Sequence, residues 1–226
     1  MIPTIIYLVL RRFRRSNPEK AARIIRLIRK AGFIIFLCLV LLGISIAARS
    51  QQSRLDYLVT RKGREIGSLI FTQEQTAGKT WLKIESTIKA QVVFMFTIKA
   101  MEEATYENGI MTSSFLYRKM NGTEKLNKKT RLAGRNYVIT KGNRSETFDN
   151  YPIRYNMSCL FMQEPVNFTK VYSDNFQRFL NIQQLGTHHY RIDFPDGNHN
   201  EYHYVNGVCA RMEVKHGLYN LTMLLR

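Results

Sequence analysis

Asn206-Gly207-Val208-Cys209-Ala210-Arg211-Met212-Glu213-Val214 is the stretch on which the fold turns. Val208, Ala210, Met212 and Val214 alternate with Cys209, Arg211 and Glu213. A period of two puts apolar side chains on one face of a strand and polar ones on the other. The Asn-Gly pair in front accepts the positive φ angles that a tight hairpin turn requires. The stretch therefore reads as a turn followed by a strand that is dry on one face and wet on the other.

The same pattern extends in both directions. Leu55, Tyr57 and Val59 form one stripe, and Val92, Phe94, Phe96 and Ile98 form another. Asn108-Gly109, Asn121-Gly122 and Asp196-Gly197 are further turns, joined by Thr76-Ala77-Gly78-Lys79, Ala133-Gly134-Arg135-Asn136 and Lys141-Gly142-Asn143. Strands are predicted near 54–61, 64–75, 80–90, 92–107, 110–120, 124–132, 136–141, 144–148, 169–173, 177–182, 189–194, 199–205, 208–215 and 218–225. Tyr155 to Gln163 is predicted as a short helix, ended by Glu164-Pro165. Many strands on short turns make an all-β antiparallel meander, and a meander this long buries its apolar stripe best by closing into a barrel or half-barrel.

An N-terminal hydrophobic helix is expected ahead of that domain. Ala31 to Ala48 contains no charged residue, and Arg23, Arg26, Arg29 and Lys30 stand before it. This is the layout of a signal peptide h-region or a membrane anchor, with small residues Ala47, Ala48 and Ser50 at its end. Three segments follow: a basic cytoplasmic n-region at 1–30, the h-region or anchor at 31–50, and an exported barrel domain at 51–226. The expected address is the periplasm or cell envelope, with attachment to the inner membrane through 31–48 if the leader stays on. The net charge of +17 divides accordingly. Residues 1–50 carry ten Lys/Arg and one acid, a net +9, which is a topology signal, and +8 remains for residues 51–226.

A set of ordered motifs carries a resemblance. Tyr57-Leu58-Val59 is followed by Gly63 and Glu65-Ile66-Gly67, then by Tyr151-Pro152-Ile153-Arg154-Tyr155 and Leu160-Phe161-Met162-Gln163-Glu164-Pro165. Pro195-Asp196-Gly197 and Tyr202-x-Tyr204-x-Asn206-Gly207 complete the order. Over about residues 53–226 the chain resembles a family of secreted all-β envelope proteins of Bacteroidetes-type bacteria, a domain of unknown function. The resemblance implies a lipocalin-like barrel and donates no catalytic residues.

The residues themselves specify little chemistry. There is no Gly-x-Ser-x-Gly and no phosphate-cradling glycine loop, and the carboxylate neighbours Glu102-Glu103 and Asp193/Asp196 read as ordinary solvated charges. No catalytic residue, cofactor or metal ligand is assigned. His199 and His203, four apart on one strand, lie about 13 Å apart at about 3.3 Å per residue, too far to share an ion. His188 and His189 point to opposite faces. Phe94, Phe96, Phe115, Tyr117, Tyr202 and Tyr204 are the candidates for lining an apolar ligand cavity, against the alternative that aromatics simply fill the core. Arg118, Lys119, Lys125, Lys128, Lys129, Arg131 and Arg135 form a basic cluster suited to lipid head groups or an anionic envelope polymer, against the alternative of a solvated face that guards edge strands. Nucleic acid is not an expected partner of an exported protein whose aromatics are not arranged around that cluster. Cys159 and Cys209 are a candidate disulfide, the alternative being two buried thiols. The functional expectation is a non-enzymatic envelope protein that binds an apolar or amphipathic molecule. A filled structural or interaction module and an unrecognised periplasmic hydrolase are the alternatives.

Overall fold

The computed structural model describes residues 51–91, 95–149 and 152–226. The expected n-region and hydrophobic helix at 1–50 lie outside the described residues. Among those described, no helix is long and apolar enough to cross a membrane.

The strands are β1 (Gln51–Arg61), β2 (Arg64–Thr76), β3 (Lys79–Gln91), β4 (Met95–Glu107), β5 (Ile110–Met120), β6 (Thr123–Ala133), β7 (Asn136–Lys141) and β8 (Arg144–Phe148), then β9 (Lys170–Ser173), β10 (Arg178–Gly186), β11 (His189–Asp193), β12 (His199–Val205), β13 (Val208–His216) and β14 (Tyr219–Leu225). They form one antiparallel sheet in the order β8-β7-β6-β5-β4-β3-β2-β1-β14-β13-β12-β11-β10-β9. Two meanders, β1–β8 and β9–β14, meet where Tyr57 faces Leu225 and Thr60 faces Thr222. Asn108-Gly109, Asn121-Gly122 and Asn206-Gly207 each have positive φ at both positions, as does Lys62-Gly63. These are the primed turns whose twist matches that of the flanking strands. The predicted short helix is a 3-10 helix over Met157–Phe161.

The sheet rolls up but does not close by hydrogen bonds, so of the two expected forms, barrel or half-barrel, full closure is corrected. Its edges, β8 and β9, do not pair. The reason lies in the connecting segment. The Tyr172 N–H of β9 donates to the Tyr155 carbonyl at 2.9 Å, and Asn156 forms a parallel bridge with Tyr172. The free edge of β9 is therefore taken before β8 reaches it. The two ends overlap through side chains instead. Tyr172 packs against Phe148 of β8 at 5.9 Å and Phe179 of β10 at 5.7 Å, while its hydroxyl lies 3.4 Å from that of Thr130 on β6.

Two local departures from regular pleating set the faces. In β13, Arg211 faces His203 but Cys209 faces Tyr204, so Ala210 is the extra residue of a bulge. The bulge corrects the expected face. Cys209 joins Met212 in the core, and Ala210 is only half-buried. At Gly67, a Cβ would sit 2.1 Å from the Thr87 carbonyl oxygen of β3. Only glycine permits that approach, which accounts physically for the glycine that ends the first motif.

The segment from Pro152 to Thr169 plugs one end of the rolled sheet. Tyr137 donates to the Met111 carbonyl at 2.8 Å and accepts from the Ile153 N–H at 3.0 Å, while Tyr204 donates to the Leu160 carbonyl at 2.9 Å. Tyr57 donates to the Cys209 carbonyl at 2.7 Å, and Phe161 stacks on Phe71 while meeting Tyr57 edge-on. The motif tyrosines are thus both apolar filler and clamps on backbone carbonyls.

Candidate ligand cavity

Register decides which side chains reach the interior. Away from the turns that the plug covers, the segments 173–176 and 194–198 and the inward side chains of the strands line a cavity of about 330 Å³. Ile84, Ile88, Ile98, Leu116, Val214 and Leu221 form much of its wall, and Met157 and Phe161 of the plug form its floor. Arg61, Arg118, Asp174, Asp196 and His216 add polar groups.

Three polar residues inside it are the informative ones. Asn200 is buried, its Nδ2 donates to the Tyr202 hydroxyl at 3.2 Å, and its Oδ1 has no hydrogen-bond partner among the described residues. An orphaned buried acceptor costs about 1–3 kcal/mol, so its presence calls for an explanation. Glu102 faces the same space from β4, opposite Leu116 of β5. Burial pushes its carboxyl up, Arg118 pulls it down, and Asp174 adds to the rise. Asp174, buried, is raised from 3.8 to about 6 by desolvation, although it accepts from the Ser114 hydroxyl and, at 3.0 Å, from Asn156 Nδ2.

The structure distributes the sequence candidates unevenly. Phe96 and Tyr202 line the cavity. Tyr204 is buried against the plug rather than in the cavity. Phe94 lies outside the described residues. Phe115 and Tyr117, expected in the cavity, stand on the opposite face because Ser114, Leu116 and Arg118 alternate with them and point inward. The two rings stack at 6.1 Å, with Lys129 over Phe115 and Lys119 over Tyr117.

The basic cluster likewise divides. Arg118 lines the cavity, and the Lys128 ammonium donates to the Asn175 carbonyl, with burial as the main cause of its lowered pKa. Lys119, Lys125, Lys129, Arg131 and Arg135 remain exposed. The seven residues do not make one surface. Cys159 and Cys209 are both free thiols. Cys159 Sγ contacts the Tyr106 hydroxyl at 3.3 Å, and Cys209 Sγ contacts the Arg211 carbonyl at 3.4 Å.

The sequence reading missed Asn200 and Asp174, and it placed Glu102 in solvent. A signal did exist for Glu102, which shares a strand face with Ala104 and Ala100. That set alternates with Lys99, Met101 and Glu103, of which Lys99 is exposed and the other two half-buried.

A rolled antiparallel meander with a plugged end and an inner cavity defines a barrel-like all-β class. Within it, the chain belongs to the DUF6134 family, a domain of unknown function, which matches residues 57–226. A crystal structure of a beta-barrel-like protein of domain of unknown function DUF1849 from Brucella abortus is similar over 80% of this chain and 96% of that one, at 10% identity and a TM-score of 0.48. A search of curated proteins finds no match.

Proposed function

We propose that this domain holds an amphipathic small molecule, with its apolar body along the cavity wall and a hydrogen-bond-donating head against Asn200 and Glu102. One observation carries the reading: a cavity of about 330 Å³ with an apolar wall contains a buried Asn200 Oδ1 that no group among the described residues satisfies. That volume lies within the range of small-molecule sites, and such sites combine apolar walls with a few fixed polar groups. A hydroxyl or amino group of the ligand supplies the missing donor.

The expected work site is beyond the inner membrane, in the periplasm or envelope, and this rests on the sequence of residues 1–50 alone. Carriage is favoured over hydrolysis because Glu102 and Asp174 are both pushed up by burial. An acid–nucleophile couple needs environments that push its two carboxyls apart.

The test is native mass spectrometry of the full chain from its own host, followed by lipid extraction. A bound mass of several hundred daltons is expected, and it should vanish in Ala100→Trp, which fills the cavity from β4. A folded wild-type protein with no adduct supports the filled structural or interaction module instead.

A further inference from the structure

The outer face of β11 and β12 carries a second constellation, unrelated to the cavity. His189 on β11 lies directly opposite His203 on β12, and Glu201 stands two residues before His203 on the same face. His189 Nε2 is 3.1 Å from Glu201 Oε2, and the two imidazoles stack at 4.0 Å with 19° between their planes. Among the described residues, His203 Nε2 is buried without a hydrogen-bond partner, its nearest carboxylate being Glu213 Oε1 at 3.9 Å. One donor atom from each of His189, Glu201 and His203 lies within 4.8 Å of the other two.

His199 and His203 stand too far apart along β12 to share an ion, whereas His189 reaches His203 from the neighbouring strand. A cross-strand pair brings two imidazoles together where a same-strand pair cannot.

The charges around this face separate one carboxylate from the others. Asp193 is paired with Arg191, and Glu213 with both Arg211 and Lys215. Glu201 makes its ion-pair contacts with histidines, His189 at 3.1 Å and His199 at 3.4 Å. Arg191 stands directly opposite Glu201 in register but gives its guanidinium to Asp193, so the close contacts of the Glu201 carboxylate are to imidazoles. We infer that His189, Glu201 and His203 bind a divalent first-row transition-metal ion of the zinc class. Two imidazoles and one carboxylate are the donors such ions prefer, and imidazole disfavours calcium and magnesium.

The geometry is within reach of coordination. A point equidistant from three atoms 4.8 Å apart sits about 2.8 Å from each, so a shift of about 0.7 Å per ligand reaches metal–ligand distances of about 2.1 Å. The stacked rings must splay for their lone pairs to converge. All three side chains are partly solvent-accessible, at 27%, 19% and 35%, so an ion has a path in and water completes its coordination.

The test titrates the full-length chain, stripped with a chelator, with Zn²⁺ in competition with a chromophoric indicator. One equivalent is expected to bind. His189→Ala and His203→Ala should each lose more than the roughly 10- to 100-fold typical of removing a group that only supports a ligand. His216→Ala, whose ring stacks on Tyr219 at the cavity end, should bind as the wild type does. Zn²⁺ should also raise the melting temperature of the wild type but not of the variants. Should an alanine variant fail to fold by circular dichroism, Glu201→Gln keeps the side-chain shape and is read in the same way. Failure of the wild type to compete with the indicator, or undiminished binding in the His189/His203 double variant, overturns the inference.

Discussion

Asp174 makes the stability of this domain depend on pH in a direction opposite to that of most carboxylates. Its carboxyl is raised from 3.8 to about 6, with desolvation outweighing the bonds from Ser114 and Asn156. Well below 3.8 the group is protonated in both folded and unfolded chains and adds no pH dependence. Between 4 and 6 the unfolded chain gives up its proton while the folded one retains it, so the unfolded state gains. Above 6 the full penalty applies. At about 1.4 kcal/mol per pH unit, it amounts to about 3 kcal/mol. The measurement is urea unfolding of the wild type and Asp174→Asn at pH 4, 5, 6 and 7, followed by the fluorescence of the single tryptophan, Trp81. The wild type should lose about 2 kcal/mol relative to the variant between pH 4 and 7, since part of the penalty is already present at pH 4. Taking the difference cancels most of what the other groups contribute. Relief of Glu102, itself raised in part by Asp174, adds with the same sign. A difference that stays flat, or that moves in favour of the wild type as pH rises, refutes burial as the dominant influence on Asp174.

Other expectations follow from single contacts. Tyr57→Phe strands the buried Cys209 carbonyl and should cost about 1–2 kcal/mol in urea unfolding, with the fold retained by circular dichroism. Gly67→Ala forces a Cβ against the Thr87 carbonyl and should cost about 3 kcal/mol, the upper part of the overpacking range; an unchanged denaturation midpoint would mean the strands separate freely there. Burial pushes Cys159 up to about 11 and Cys209 up to about 12. In a Cys38→Ser background neither should react with a thiol reagent until the protein is unfolded, when two equivalents appear, and reduction should leave gel mobility unchanged.

The strands were legible because turn chemistry is local. Asn108-Gly109, Asn121-Gly122 and Asn206-Gly207 each announce a hairpin within two residues, and β5, β7, β8 and β12 begin and end where the pattern predicts. Facing was less legible. A period of two defines two sets of side chains without saying which is inward when both hold apolar groups. On β5, the aromatic set with Phe115 and Tyr117 is outside, and the smaller set with Ser114 and Leu116 is inside, because the interior there is partly cavity. The Ala210 bulge inverted the expected parity, since one inserted residue exchanges the two faces. The sites lay further from reach. Asp174 meets Ser114 across 60 residues, and His189 meets His203 only once the β11–β12 register is fixed. The failed barrel closure depends on a competition for the β9 edge that no local pattern records.

The strand order also has a kinetic consequence. Every paired neighbour in the sheet is also a neighbour in sequence, except β1 with β14. Hairpins within each half can zip up quickly, because their loops are short. Joining the halves must wait for the two ends of the domain to find each other, a loop closure of well over a hundred residues. Until Tyr57 meets Leu225, two half-sheets coexist with their apolar faces uncovered. A nascent chain remains in that vulnerable condition until its last strand, β14, has been made.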